Sequence, residues 1–195
     1  TPILDSWSKY KAEKLVILGN GESRSNGQDF AKQESLPVVS INTLDVDLPV
    51  IFTVVTRPGI LSKLESNNPT GIPLVIPSGF SSSLNSVTLP ISEFEYIEGL
   101  SAHDSGRIGF REDFVLITVL DLLNIAALSR DVGNLPLEVH LYGFDFQISP
   151  NEERRTEDLF LDSLLTRQRS LFEILLKQDR PFENLILVNH SKMVG

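Results

Sequence analysis

The chain has 195 residues, a formal net charge of −9, 41% hydrophobic and 22% charged residues, and no cysteine. That length suits one well-packed α/β domain, and the acidic balance argues against a generic nucleic-acid surface, which needs a basic field to meet phosphates. The missing cysteine removes disulfides, thiolate catalysis and the usual structural zinc sites, and the longest apolar runs fall far short of the about 20 residues of a membrane span.

Residues 1–13 read as a leader or short helix, and 14–195 as a single nucleotide-binding α/β domain. The charged segment Lys9 to Lys14 precedes the first apolar run, so no signal peptide is expected; a cytoplasmic protein fits the lack of cysteine. A start at Thr1, with Met193 as the sole methionine, suggests a piece of a longer protein with other domains as possible partners.

The first strand is expected over 14–18, where Val16, Ile17 and Leu18 favour a buried, pleated strand. It stops at Gly19-Asn20-Gly21, and a polar helix follows from Ser25 to Glu34. "LPVVSIN" (36–42) is a second strand, and "LPVIFTVVT" (48–56) a third, near-continuously apolar as a strand buried on both faces should be. A turn and short helix (57–66) lead to a fourth strand, "GIPLVIPSG" (71–79). Residues 80–104 are irregular, with "VTLPI" a possible edge strand and Ser81 to Ser83 a flexible loop. "FREDFVLITVLDLLNIAALSR" (110–130) reads as a central helix packed on both sides, with Asp121 inside it as a structural carboxylate. A strand (137–146), an amphipathic helix (157–178) and a last strand (183–191) complete the chain. Strands alternating with helices predict a three-layer, mostly parallel, doubly wound, Rossmann-like sheet.

In such a sheet the ligand lies beyond the carboxyl ends of the strands, near the point where strand order reverses. The residues there are Gly19 to Ser23, Asn42-Thr43, Thr56-Arg57, Ser78-Gly79, Gly143 to Phe146 and Asn189 to Ser191. They hold no His and carboxylate cluster at metal-ligand spacing, so no metal is expected. The first turn is neither a G-x-G-x-x-G fingerprint, because Arg24 stands where the third glycine would, nor a Walker loop. By its own residues it is a phosphate cradle or an ordinary strand exit. Under the cradle reading, Gly21→Val should leave folding intact and block the approach to the backbone.

"ILGNGES", "INT" after the second strand, a glycine before the long apolar helix and "HLYGFDF" occur in this order. Together they resemble the bacterial sialyltransferases that carry a G-N-G-P-S turn, and the related Rossmann-like domains of other glycosylation proteins and archaeal pterin diphosphokinases. The resemblance implies a CMP-sugar donor bound with no cofactor and no structural need for metal, a glycan acceptor, and a place in surface glycan or lipopolysaccharide synthesis. It places Gly19, Asn20, Gly21 and Ser23 against the phosphate or sugar, Asn42 on the nucleoside, and Gly143 and Asp145 beside the cytidine. It puts Gly106 or Gly109 at the start of the central helix, with Arg107 and Arg111 as cations able to neutralise a leaving phosphate or to pair with Glu112 or Asp113. The tyrosines and histidine that the family carries after the D-F pair have no counterpart: Gln147 and Ile148 come next, and residues 147–182 contain no histidine.

Of the three histidines, His140 lies within a strand and reads as structural, while His103 and His190 are the candidate general bases. Three functions are compatible with these residues. They are a CMP-sugar glycosyltransferase, a magnesium-dependent phosphoryl-transfer enzyme using carboxylates such as Asp104, Asp145 or Glu22, and a non-catalytic nucleotide-sugar-binding domain.

Overall fold

A computed structural model describes residues 12–67, 71–82, 86–89, 110–111, 114–128, 135–146 and 156–192. Seven strands form one sheet: β1 (Lys14–Leu18), β2 (Val38–Ile41), β3 (Val50–Val54), β4 (Leu74–Pro77), β5 (Ser86–Leu89), β6 (Leu137–Tyr142) and β7 (Leu185–Asn189). Among the described residues four helices lie between them: α1 (Arg24–Glu34), α2 (Pro58–Ser66), α3 (Val115–Leu128) and α4 (Thr156–Lys177). Every strand pair is parallel. The order is β5-β4-β3-β2-β1-β6-β7, with β5, which covers the described part of the expected "VTLPI" strand, at one edge. Among the described residues no helix is long and apolar enough to cross a membrane.

Burial explains the composition of the strands. Leu15, Val16, Ile17 and Leu18 are all fully buried, because successive side chains point to opposite faces and both faces are covered. Leu15 and Ile17 join Val39, Ile41, Val139 and Leu141 in the large core beneath α3 and α4, which contributes Phe172 and Leu175. Val16, Leu18 and Val38 pack on the other face with Ala31 of α1. Leu74 and Ile76 meet Leu61 and Leu64 of α2. Three layers result: α1 and α2, the sheet, then α3 and α4. Each buried Val, Leu or Ile stabilises the fold by roughly 1.5–3 kcal/mol before the entropy of ordering is subtracted.

Helix α3 starts at Val115, later than the expected residue 110. Phe110 stands in an isolated bridge and Phe114 precedes the helix, both buried as anchors of the core. Gly106 and Gly109, expected at the start of this helix, lie outside the described residues. Asp121 is buried within α3 and is not without a partner.

The strand order fixes where a site can form. The chain walks outward from β1 to β5, then returns to add β6 on the other flank of β1. The carboxyl ends of β1 and β6, which carry the two motifs "GNGES" and "YGFDF", therefore stand side by side at the switch point.

Candidate functional site

The two motif turns interlock by direct backbone contact. The amide of Gly19 donates to the Tyr142 carbonyl at 2.8 Å, and that of Gly21 to the Gly143 carbonyl at 2.7 Å. A Cβ on Gly19 would sit 2.5 Å from the Gly143 carbonyl oxygen, and one on Gly143 would sit 2.5 Å from the Gly19 oxygen. A Cβ on Gly21 would meet the Gly143 oxygen at 2.8 Å and the Asp145 carboxylate more closely still. The glycines let two protein segments touch.

Asp145 completes this junction. Its Oδ2 accepts the Ser23 amide at 2.8 Å, both carboxylate oxygens lie 2.9 Å from the Ser23 hydroxyl, and Oδ1 accepts the Lys192 amide at 2.6 Å. The Ser23 hydroxyl oxygen in turn accepts the Gly143 amide at 2.8 Å. Ser23 and Asp145 are 2% and 4% exposed, so these bonds form in a nearly dry setting. Ser23 occupies the N-cap position of α1, and the anion that helix ends attract is here the protein's own carboxylate. Thus the sequence-derived residues Gly19, Gly21, Ser23, Gly143 and Asp145 do converge, and they converge on one another. The expectation that Gly21→Val spares the fold is overturned, because the added side chain would displace Asp145.

Open polar groups lie on the β2 side of this junction. Asn20 is exposed, and its Oδ1 receives the Arg24 guanidinium and the Thr43 hydroxyl, each at 3.3 Å. Arg24 also donates to the Gly19 carbonyl at 2.7 Å and to Asp45 at 2.5 Å. Asp45 accepts Gln28 at 2.8 Å and the Ser40 hydroxyl as well, which ties the first turns of α1 to the end of β2. Arg24, read from sequence as the residue that breaks a dinucleotide fingerprint, is the clamp between β1 and β2. Half-buried Asn42 has φ +57°, a left-handed conformation that asparagine tolerates. Its side chain pairs with Thr56 at the end of β3, accepting the Thr56 amide and donating to its hydroxyl, both at 2.8 Å.

The β7 side of α1 carries a second polar group of residues. Glu138, His140 and Tyr142 alternate on one face of β6, and His190 follows β7 on the same side. His140 Nε2 lies 2.6 Å from Glu138 Oε1, and His140 Nδ1 lies 2.8 Å from His190 Nε2. The His190 ring stacks on Tyr142 at 4.4 Å between centroids and 6° between planes, and Phe30 of α1 packs against His140, Tyr142 and His190. Lys14 of β1 approaches Glu138 at 3.6 Å. Gly27 lets α1 settle here, since a Cβ would lie 2.6 Å from Tyr142 and from Leu18. Sequence reading took His140 as structural and His190 as a free candidate base; the fold joins them. The signal was the period-2 spacing of Glu138, His140 and Tyr142, which puts all three on one face of a strand.

Packing against Tyr142 and Phe30 strips part of the water from the His190 ring and lowers its proton affinity below the ordinary histidine range, the charge of a protonated His140 adds to this, and Glu138 opposes it. Desolvation raises the Glu138 pKa, but the hydrogen bond from His140 and the charges of Lys14 and His140 outweigh it and hold the carboxyl below its usual 4.5. Both groups bind protons less readily folded than unfolded, so both make stability rise with pH. The His190 contribution is present above pH 6.5 and is lost as pH falls from there through its lower folded value; Glu138 adds a second loss below 4.5. The urea midpoint should therefore fall between neutral pH and pH about 5, and His190→Phe, which keeps an aromatic ring over Tyr142, should flatten that slope. An equally steep slope in the variant would assign the pH dependence elsewhere.

Arg111, expected near a phosphate, is 7% exposed and partnered, with its amide donating to the Thr118 hydroxyl of α3 at 2.8 Å. His103, Asp104, Gly106, Arg107 and Gly109 lie outside the described residues. Among the described residues no group of three or more His, Asp or Glu side chains could hold a metal ion. Comparison of the chain with protein-family models finds no match, and comparison with curated proteins finds none either.

Proposed function

We propose that the chain is the nucleotide-binding domain of a glycosyltransferase-like protein that takes a CMP-sugar donor and a glycan acceptor, at work in the cytoplasm on surface glycan or lipopolysaccharide. One observation carries this reading: the "GNGES" and "YGFDF" turns, which the resemblance pairs around a cytidine nucleotide, are neighbours at the switch point of a parallel sheet. The nucleotide would lie along the β1–β2–β3 ends, over Asn20, Asn42 and Thr43. The notch at Gly21 is filled by Asp145. The Asn20 amide nitrogen, the second N–H of the Asn42 amide and the Thr43 hydroxyl oxygen would offer donors and an acceptor to a base or ribose, and the two interlocked turns, Gly19 to Ser23 and Gly143 to Asp145, act as the rigid floor beneath them.

The magnesium-dependent alternative draws less support, because both oxygens of Asp145 already receive donors from Ser23 and the Lys192 amide. A non-catalytic binding domain is favoured by one observation: Gln147 and Ile148 stand where the family has tyrosines.

Thermal unfolding in the presence of CMP, CDP, GDP, UDP and ATP, each with and without Mg²⁺, separates the readings. CMP without metal should raise the melting temperature; at one hundred times Kd the gain is about 2.7 kcal/mol. Asn20→Ala gives up two long, exposed hydrogen bonds, from Arg24 and Thr43, so it should lower the ligand-free melting temperature only slightly and shrink the CMP-induced shift. Stabilisation by ATP only with Mg²⁺ would replace this reading with phosphoryl transfer. Indifference to every nucleotide would remove it.

A further inference from the structure

We propose that Glu138, His140 and His190 form a one-proton relay that holds Nδ1 of His190 as a bare proton acceptor at the carboxyl end of β7. The argument follows from donor and acceptor chemistry along the chain of contacts. An ionised carboxylate only accepts, so the 2.6 Å contact with Glu138 places the hydrogen of neutral His140 on Nε2. His140 Nδ1 is then a lone pair, and its 2.8 Å contact with His190 Nε2 needs a hydrogen from the His190 side. With its hydrogen on Nε2, neutral His190 keeps an unprotonated Nδ1. His190 is exposed, while His140 behind it is 6% exposed.

A proton arriving at Nδ1 makes His190 an imidazolium whose Nε2–H points at His140, backed by the Glu138 charge. A second proton on His140 would set N–H against N–H across 2.8 Å and open the contact, so the seated pair takes up one proton only. The surroundings permit this chemistry. Lys14 of β1 is the cation facing Glu138, Tyr142 gives the stacking surface and is pushed by burial to ionise above its ordinary range, and α1 presents the uncharged Phe30. An acceptor of this kind suits a molecule that brings an O–H to the end of β7, a sugar hydroxyl or water. That assignment rests on the glycosyl-transfer reading above, with Glu138 and His140 as positioning residues.

Long-range ¹H–¹⁵N NMR of the ¹⁵N-labelled full chain reads the relay with no ligand present. Both His140 and His190 should be in the Nε2–H tautomer, and Glu138→Gln should lower the pH at which His190 takes up its proton by about half a unit or more. A His190 ring protonated at Nδ1 in its neutral form, or an uptake pH unmoved in Glu138→Gln, overturns the relay. Glu138 is partly exposed, so the substitution tests the proposal without emptying a core position. The pH profile of CMP-sugar hydrolysis then reads its use: the acid limb should move with His190 in Glu138→Gln, which a purely structural role would not cause. Absence of hydrolysis, with the tautomers as stated, leaves the relay standing and removes the glycosyl-transfer reading.

Discussion

Asp145→Ala should destabilise the fold by about 3–5 kcal/mol, a large share of the 5–15 kcal/mol typical of a domain. The substitution leaves three donors without their acceptor: the Ser23 amide, the Ser23 hydroxyl and the Lys192 amide. Each buried donor left unpaired costs about 1–3 kcal/mol, and the negative charge at the start of α1 goes too. The loss spans three strands, since Ser23 follows β1, Asp145 follows β6 and Lys192 follows β7. Urea unfolding should show a lower midpoint with an unchanged slope. Asp145→Asn should lose less, because one carbonyl oxygen survives while the new NH₂ faces a donor. Ser23→Ala combined with Asp145→Ala should cost clearly less than the sum, the mark of residues that share bonds. A wild-type midpoint in Asp145→Ala, accompanied by weakened CMP binding, would instead make the carboxylate a ligand group.

The contrast between these outcomes shows what sequence could carry. The strands and helices were legible because the apolar runs were unambiguous: "KLVIL" and "LPVIFTVVT" can only be buried on both faces, and such strands imply helices on either side. The convergence of Gly19, Gly21, Ser23, Gly143 and Asp145 was legible too, because strand-end position places them at one edge. What the glycines face was not. A residue without a side chain admits either a ligand or another backbone, and only the register of β1 against β6 brings Gly143 onto Gly19. Asp45 escaped notice for a related reason. Its role depends on Arg24, Gln28 and Ser40, which meet it only when α1 docks on the β1–β2 side. His140 and His190 are fifty positions apart, and their contact needs β7 beside β6. The start of α3 was misplaced because Phe110 and Phe114 continue the apolar pattern while serving as anchors ahead of the helix.

Gly143→Ala should destabilise by roughly 3 kcal/mol or more, and a set of glycine variants can divide that cost into its causes. Gly143 has φ +78° and would also press its methyl group to 2.5 Å from the Gly19 carbonyl oxygen, so strain and collision add. Gly71 has φ +64° with nothing within 4 Å of a Cβ, so Gly71→Ala should show the strain alone, about 1 kcal/mol. Gly19 is not at positive φ, yet its Cβ would reach 2.5 Å from the Gly143 oxygen, so Gly19→Ala should show the collision alone. Two interlocked backbones cannot give way as a flexible side chain would. Parting them breaks the Gly21-to-Gly143 bond and pulls the Gly143 amide from the Ser23 hydroxyl. The Gly143→Ala loss should therefore match or exceed the sum of the other two, measured as urea midpoints at one pH. A Gly143→Ala protein no less stable than Gly71→Ala would mean that the turns are separable and that a ligand could enter between them. Gly21→Val belongs to the same series, since its side chain must displace Asp145. Loss of nucleotide binding in that variant therefore reports a disturbed floor, and the binding surface itself is better probed through Asn20, whose exposed side chain meets Arg24 and Thr43 and is not among the atoms that a Cβ on Gly19, Gly21 or Gly143 would strike.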